Sequence, residues 1–327
     1  MKTLSDKPLN LTPPTNGAEI ETVNFYSEIM RDLYKHIVDL AQRDNNIIIV
    51  GEQGTGKNRT AKMIHSLSSF SEGPFGNLFC NTLEETIQEK MKELESTLEG
   101  DTYQSSEDFG MDFLSGGTLF FNSFSELSHL NQKILVRLVH NAQQMAMQTE
   151  KVSEFRIIIS VEQSAYAEFS EQPFWDDLLE QLNPVIIELP PLRERCEDIT
   201  LLIDQFLLDF ASKNGTPVHA ISPRAAYKCI SYHWPGNVRQ LKNTIEHAAT
   251  VVPAGEVITS DQLPFSINWK SPYTHINNAM EYNQSFLRAE KMLLKEIVEI
   301  SDLSEQELQK NEYEFRIPFR NRKIFLS

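Results

Sequence analysis

Residues 51–57 read Gly-Glu-Gln-Gly-Thr-Gly-Lys, and their spacing matches the pattern G-x-x-x-x-G-K of a phosphate-binding loop. We call this segment the phosphate loop. In such a loop the glycines let backbone N–H groups face a phosphate, and the helix that follows adds the positive end of its dipole. Lys57 would reach the β- and γ-phosphates, and Asn58 stands where strict loops carry the Ser or Thr that holds Mg2+. The spacing therefore predicts a site for the phosphates of a nucleotide.

Hydrolysis of a bound nucleotide requires more than this loop. A metal ion must be held across the phosphates, and a further group must position the attacking water. The apolar run 116–121 leads into Asn122 and Ser123, at the place where an acidic pair is expected. Neutral Asn122 could coordinate a metal only weakly or through water, and Ser123 cannot act as a carboxylate base. The sequence therefore predicts nucleotide binding with impaired cleavage.

The segments on either side of the phosphate loop fit this interpretation. Residues 47–50 are wholly apolar and mostly β-branched, which is typical of a strand buried on both faces. Residues 59–67 follow the loop with a helical pattern, and an apolar stripe of helical spacing from Tyr26 to Leu40 precedes the strand. Strand, glycine loop and helix in this order form the context that the motif requires.

Further strand and helix patterns follow along the chain. Strands are predicted at 119–121, 155–161 and 185–189, and helices at 83–98 and 130–147. Strands that alternate with helices predict a parallel sheet covered on both faces. After Pro190-Pro191 the pattern becomes helical, at 199–212, 223–231, 238–251 and 286–300, and Ser222 is predicted to cap the second of these helices.

Composition agrees with a two-domain globular protein. The chain has 327 residues, of which 40% are hydrophobic and 23% charged, and its formal net charge is −16. No apolar run has the length of a membrane helix, and the first residues lack a signal-peptide pattern. The three cysteines show no metal-binding spacing, so we expect reduced thiols, no metal centre and a cytoplasmic location.

Residues 25–265 resemble the AAA+ domain of bacterial enhancer-binding proteins, the activators of sigma-54 RNA polymerase. The likeness is carried, in chain order, by the phosphate loop, Gly73-Pro74-Phe75 with Cys80, residues 116–120, residues 189–199 and residues 234–241. The resemblance implies an α/β AAA+ fold, in which a P-loop NTPase-like parallel sheet is sandwiched by helices and followed by a small all-α lid. The expected domains are a flexible lead at 1–24, an α/β domain at 25–190, a lid at 191–267, and a linker with a truncated helical tail at 268–327.

Several positions depart from the family pattern. Asn122 and Ser123 replace its acidic pair, and Val161 and Glu162 replace its polar sensor. Trp175 and Gln181 stand where the family has two arginines that reach the γ-phosphate of a neighbouring subunit; we call these the finger positions. An arginine finger is worth about 10³–10⁵ in rate, so these losses together predict that hydrolysis is weak or absent.

The regions outside the nucleotide site also depart. The family's G-A-F-T-G-A loop, which touches the sigma factor, has no counterpart in residues 81–115. No recognition helix follows the helix at 286–300, and only about 25 residues precede the match, so we expect neither DNA binding by this chain alone nor an N-terminal phosphorylation domain.

The resemblance and the residues together define the predicted site. No residue is assigned a catalytic role, and the ligand is expected to be ATP or ADP, with or without Mg2+. The predicted binding residues are Gly51, Glu52, Gln53, Gly54, Thr55, Gly56, Lys57, Asn58, Asn122 and Arg239.

The predicted function is regulation of transcription through protein partners. These would be other AAA+ subunits, either copies of this chain or an active relative, and sigma-54 RNA polymerase if a contact survives without the usual loop. Two alternatives stay open: a working ATPase that uses Glu126 or Glu162 in place of Ser123, and an interaction scaffold without a ligand.

Overall fold

The structure is a computed structural model that describes residues 25–80, 116–148, 155–169 and 171–268, together with Arg288 and Met292. The predicted lead at 1–24 and the predicted helix at 83–98 lie outside these residues. Residues 81–115, where the sigma-contact loop is expected to be absent, also lie outside them, as does nearly all of the predicted helix at 286–300. The domain boundaries given above stay predictions.

Five parallel strands form the central sheet in the order β2-β3-β4-β1-β5. They are β1 (Ile47–Gly51), β2 (Phe75–Phe79), β3 (Thr118–Asn122), β4 (Arg156–Glu162) and β5 (Val185–Leu189). This confirms the predicted parallel sheet and four of its strands. The edge strand β2 was not predicted, because Gly76 and Asn77 give it no β-branched run, and its hydrogen bonds to β3 define it.

Helices cover both faces of the sheet. They are α1 (Glu28–Ala41), α2 (Lys57–Ser66), α3 (His129–Gln148), α4 (Gln163–Phe169) and α5 (Pro173–Leu182). Successive residues of β1 point to opposite faces: Ile47 and Ile49 join a core with α1 and α2, whereas Ile48 and Val50 join a core with α3, α4 and α5. The predicted α/β sandwich is therefore confirmed.

A smaller helical domain follows the sheet. It contains α6 (Asp198–Asn214), α7 (Pro223–Ser231), α8 (Asn237–Val251) and the short α9 (Phe265–Asn268). A two-residue parallel pair, β6 (Ala220–Ile221) with β7 (Val257–Ile258), adds a feature that the all-α prediction lacked. Trp234 is fully buried at the centre, and its indole Nε1 donates to the carbonyl of Cys229 at 2.7 Å.

Local sequence signals explain where the helices of this domain begin and end. The Ser222 side chain accepts a hydrogen bond from the Ala225 N–H, which confirms the predicted cap of α7. Helix α6 ends at Asn214 and is capped by Gly215, whose φ of 63° lies in the left-handed region that glycine tolerates.

The three cysteines are buried, and none of them forms a disulfide with another. Burial raises the pKa of Cys80 and of Cys229 to about 12, so neither thiol is a ready nucleophile. In the part of the chain that the structure describes, no helix combines the length and apolar character needed to cross a bilayer.

Candidate nucleotide site

The phosphate loop connects the end of β1 to the start of α2, at the carboxyl edge of the parallel sheet. Gly54 and Gly56 have φ values of 79° and 115°, which side-chain-bearing residues rarely adopt. The Thr55 hydroxyl donates to the carbonyl of Glu52 at 2.8 Å and fixes the curve of the loop. The first N–H groups of α2 have no partner within the helix, so the loop and the helix N-terminus form a cradle for an anion.

The side chain of Lys57 turns back toward the backbone of the loop. Its Nζ donates to the carbonyls of Gly51 and Glu52 at 2.6 and 3.0 Å and to Oε1 of Glu162 at 2.9 Å. The lysine side chain is 9% exposed, whereas that of Glu162 is 29% exposed. An ammonium group has three donors, so all of them are occupied before any ligand binds.

Glu52 ties the phosphate loop to the segments that follow the sheet. Arg193 makes two hydrogen bonds to its carboxylate, and the Asn237 amide donates to Oε2 at 3.1 Å and to the carbonyl of Gln53 at 2.9 Å. The hydrogen bond from Arg193 lowers the pKa of Glu52 below its usual 4.5. The carboxylate is therefore held ionised and directed at the lid rather than at a ligand.

The start of α8 lies directly against the loop. A side chain at Gly54 would collide with the carbonyl oxygen of Gly236, and the Arg239 N–H donates to the Gly54 carbonyl at 3.3 Å. A cavity of about 430 Å³ lies beside this contact, between Gln53 and the exposed side of α8, with Arg239 in its wall. The structure thus brings the backbone of Arg239 to the phosphate loop, and its expected contact with a nucleotide stays a prediction.

Two buried charged residues lie at the start of the helical domain: Arg195 contacts the phosphate loop, and Asp198 contacts the segment before α1. Arg195 donates to the Thr55 carbonyl at 2.9 Å. Asp198 accepts hydrogen bonds from the N–H groups of Tyr26 and Ser27 at 2.7 and 2.9 Å, and from the Ser27 hydroxyl at 2.6 Å. Burial lowers the pKa of Arg195 and raises that of Asp198, and the hydrogen bonds from Ser27 and Tyr26 oppose the shift of the carboxyl group.

The end of β3 carries neutral groups. Ser123 has a φ of 61°, and its N–H donates to the Ser160 hydroxyl at 2.9 Å. That hydroxyl lies 3.4 Å from Oδ1 of Asn122. Among the described residues no group of three or more His, Cys, Asp or Glu side chains could hold a metal ion. Asn58 and Asn122 would offer amide oxygens to an Mg2+ ion that arrives with nucleotide phosphates.

Two family models match the chain. The first, described as the sigma-54 interaction domain, matches residues 23–188, which is half of the chain. The chain belongs to the sigma-54 interaction domain family. The second model, described as the AAA+ ATPase lid domain, matches residues 193–279.

Named relatives agree with this family. The chain is 36% identical over 251 residues to the transcriptional regulatory protein ZraR of Salmonella typhimurium, covering 74% of this chain and 55% of that protein. It is 32% identical over 289 residues to the regulatory protein AtoC of Escherichia coli, covering 84% of this chain and 60% of that protein. The chain thus spans little more than half the length of these relatives.

Solved structures give the same fold. A crystal structure of NtrX from Brucella abortus in complex with ATP superposes with a TM-score of 0.60 at 25% identity, covering 87% of this chain and 67% of that one. A complex of the same protein with ADP superposes equally well, with a TM-score of 0.60. The AAA+ fold predicted from the sequence is therefore confirmed.

Within this sigma-54 interaction domain, the two carboxylates considered as replacements for Ser123 lie in different places. Glu162, at the end of β4, contacts Lys57 directly. Glu126 is exposed on a short 3-10 helix, and its charge contributes to the raised pKa of Cys80, which follows β2 at the far edge of the sheet. Strands β3 and β4 separate β2 from β1, so Glu162 is better placed than Glu126 to act beside Lys57.

The finger positions of this sigma-54 interaction domain lie on α5. Trp175 is 3% exposed and packs against Tyr166 and Phe169, with ring centroids 5.6 Å apart in both pairs. Gln181 is half-buried, and its backbone carbonyl lies 2.9 Å from Nδ1 of His140. Trp175 thus serves the core under the sheet rather than a neighbouring subunit.

Sequence reasoning gave no role to several residues that shape the site. Arg193, Arg195 and Asn237 were noticed only as parts of motifs that resemble the family, and Ser160 only as part of the sensor segment. Their contacts with the phosphate loop and with Asn122 and Ser123 depend on how distant segments meet. The one signal in the sequence was the density of charged residues directly after Pro190-Pro191.

Proposed function

We propose that this chain is a nucleotide-binding regulatory module of transcription control, which binds ATP or ADP at the phosphate loop and hydrolyses ATP weakly or not at all. One observation carries the proposal: Lys57 is held in an intact cradle, while the end of β3, on the other side of β4, offers the neutral pair Asn122 and Ser123.

Nucleotide binding is supported by the shape and charge of the loop. Its backbone groups, the N-terminus of α2 and the Lys57 ammonium all suit an anionic phosphate. Gln53 and Arg239, which flank the cavity beside the loop, would meet the rest of the nucleotide. The related NtrX has been crystallised with both ATP and ADP.

Impaired hydrolysis is supported by three separate positions. No carboxylate follows β3 where the family has its acidic pair, and Ser123 already donates its N–H to Ser160. Trp175 is a core residue and cannot supply a charge to a neighbouring subunit. A metal ion and an arginine finger normally stabilise the charge that develops in phosphoryl transfer, so rates without them fall by several orders of magnitude.

The partners follow from the family rather than from a visible interface. Other AAA+ subunits, copies of this chain or an active relative, are the first candidates, and sigma-54 RNA polymerase is the second. A regulator of this kind would act in the cytoplasm and would influence transcription by joining, or competing for, an active assembly.

The test is calorimetry with ATP and ADP in the presence of Mg2+, combined with measurement of phosphate release from the same sample. Binding without release is expected. Lys57→Ala should abolish binding, whereas Lys62→Ala, an exposed lysine on the same helix, should not change it. Rapid phosphate release that is abolished by Lys57→Ala would refute the proposal that ATP hydrolysis is weak or absent.

An active ATPase is the second candidate, and the contact between Glu162 and Lys57 is the observation that favours it. In that case Glu162→Gln would reduce turnover strongly, and Glu126→Gln would not. A scaffold without a ligand would show no change in melting temperature at millimolar nucleotide, because a ligand that binds the native state stabilises it by about 2.7 kcal/mol at 100 times its Kd.

A further inference from the structure

The contact between Lys57 and Glu162 bears on which phosphate groups the loop can bind. Two of the three acceptors of the Lys57 ammonium, the carbonyls of Gly51 and Glu52, belong to the phosphate loop itself. The third is the carboxylate of Glu162, which comes from another strand. Among the described residues it is the one acidic side chain within salt-bridge distance of Lys57.

Strand register fixes Glu162 at this place. Strand β4 pairs in parallel with β1, and Glu162 lies opposite Gly51, where β1 passes into the loop. Its carboxylate therefore approaches Lys57 from the sheet. The side chain is 29% exposed, so the charge is only partly screened by water.

A diphosphate and a triphosphate make different demands on this arrangement. The backbone N–H groups of such a loop hold the α- and β-phosphates, and the lysine reaches the β- and γ-phosphates. A β-phosphate can therefore replace one carbonyl acceptor of Lys57 while the ion pair with Glu162 stays intact. A γ-phosphate would add a further acceptor to the same ammonium and compete for it with the Glu162 carboxylate.

We propose that Glu162 makes this site selective for nucleoside diphosphates over nucleoside triphosphates. The proposal rests on the nucleotide binding proposed above. The γ-phosphate would place a second negative group beside the ammonium that already binds the Glu162 carboxylate. Like charges so close together repel strongly enough to change the affinity roughly tenfold or more. Removing the charge of Glu162 removes this discrimination.

The experiment compares affinities for ADP and ATP by calorimetry in EDTA, without Mg2+, in the wild type and in Glu162→Gln. Glu168→Gln is the matched control, because it removes the same charge from an exposed position on α4, the helix that follows β4. Circular dichroism confirms that each variant is folded, and Glu162→Asn provides a second neutral variant.

We expect the wild type and Glu168→Gln to prefer ADP by about tenfold or more, and Glu162→Gln and Glu162→Asn to bind the two nucleotides within about threefold of each other. Equal affinities in the wild type, or an unchanged preference in the Glu162 variants, would overturn the selectivity while leaving nucleotide binding intact. Absence of binding of either nucleotide to every variant would overturn nucleotide binding itself, and with it the selectivity.

Discussion

Arg193 donates two parallel hydrogen bonds to Glu52, from Nη1 to Oε2 at 2.8 Å and from Nη2 to Oε1 at 2.6 Å. Glu52 belongs to the phosphate loop, whereas Arg193 belongs to the segment that leads from the sheet into α6. Asn237, the first residue of α8, adds its own hydrogen bond to the same carboxylate. The conformation of the loop is therefore coupled to the position of the helical domain.

Replacing Glu52 with Gln should lower the free energy of unfolding by about 1–2 kcal/mol at neutral pH, because charge-assisted bonds to Arg193 are lost. The pKa of Glu52 is lower in the folded protein than its usual 4.5, so its contribution is present above that value and is lost as the pH falls through the folded pKa. Urea unfolding from pH 7 to well below pH 4.5 should show the wild type and the variant converging only below that value.

Glu256→Gln, at an exposed position, is the control for this prediction and should change stability little at any pH. A difference between the wild type and Glu52→Gln that stays constant as the pH falls would show that the carboxylate charge is not what stabilises this contact.

Replacing Gly54 with Ala should separate α8 from the phosphate loop. The new Cβ would collide with the Gly236 carbonyl at a position where φ is 79°. Gly215→Ala is the matched control, because φ there is 63° and no atom lies within 4 Å of the added carbon. We expect the control to cost about 1–2 kcal/mol from backbone strain and Gly54→Ala to cost about 1–3 kcal/mol more, measured by urea unfolding. Equal losses would mean that the close approach of Gly236 is easily relieved.

Trp175 should behave as a core residue. Trp175→Ala should lower stability by about 3–5 kcal/mol, because it leaves a cavity among Tyr166 and Phe169, while Trp175→Phe should lose less. Trp175→Arg should be at least as unstable as the alanine variant and should gain no phosphate release, because the charge would be buried. A stable Trp175→Arg protein with ATP turnover would show instead that this position can serve as an arginine finger.

Removing the Ser27 hydroxyl should weaken the attachment of the start of α1 to the helical domain. In Ser27→Ala the buried carboxylate of Asp198 loses the 2.6 Å hydrogen bond to its Oδ2, at a cost of about 1–3 kcal/mol. Ser66→Ala, which removes an exposed hydroxyl bonded within α2, should cost less than about 0.5 kcal/mol. Thermal or urea unfolding measures both, and similar small losses would mean that water replaces the Ser27 hydroxyl.

The sequence by itself determined the phosphate loop and the alternation of strands and helices, because these signals are local. The apolar run at β1 and the spacing of Gly51, Gly54, Gly56 and Lys57 lie within a few residues of one another. Strand β2 was not predicted, because Gly76 and Asn77 interrupt any local run of apolar, β-branched residues. Its pairing with β3 alone makes it a strand.

Only the tertiary structure decided which side chains meet at the loop. Glu162 lies 105 positions from Lys57, and Asn237 lies 185 positions from Glu52. The sequence marked Glu162 as a departure from the family, but only the placement of β4 beside β1 puts its carboxylate on Lys57. Contacts of this kind depend on strand order, register and domain packing, and these are set by the burial of the whole core rather than by any local pattern.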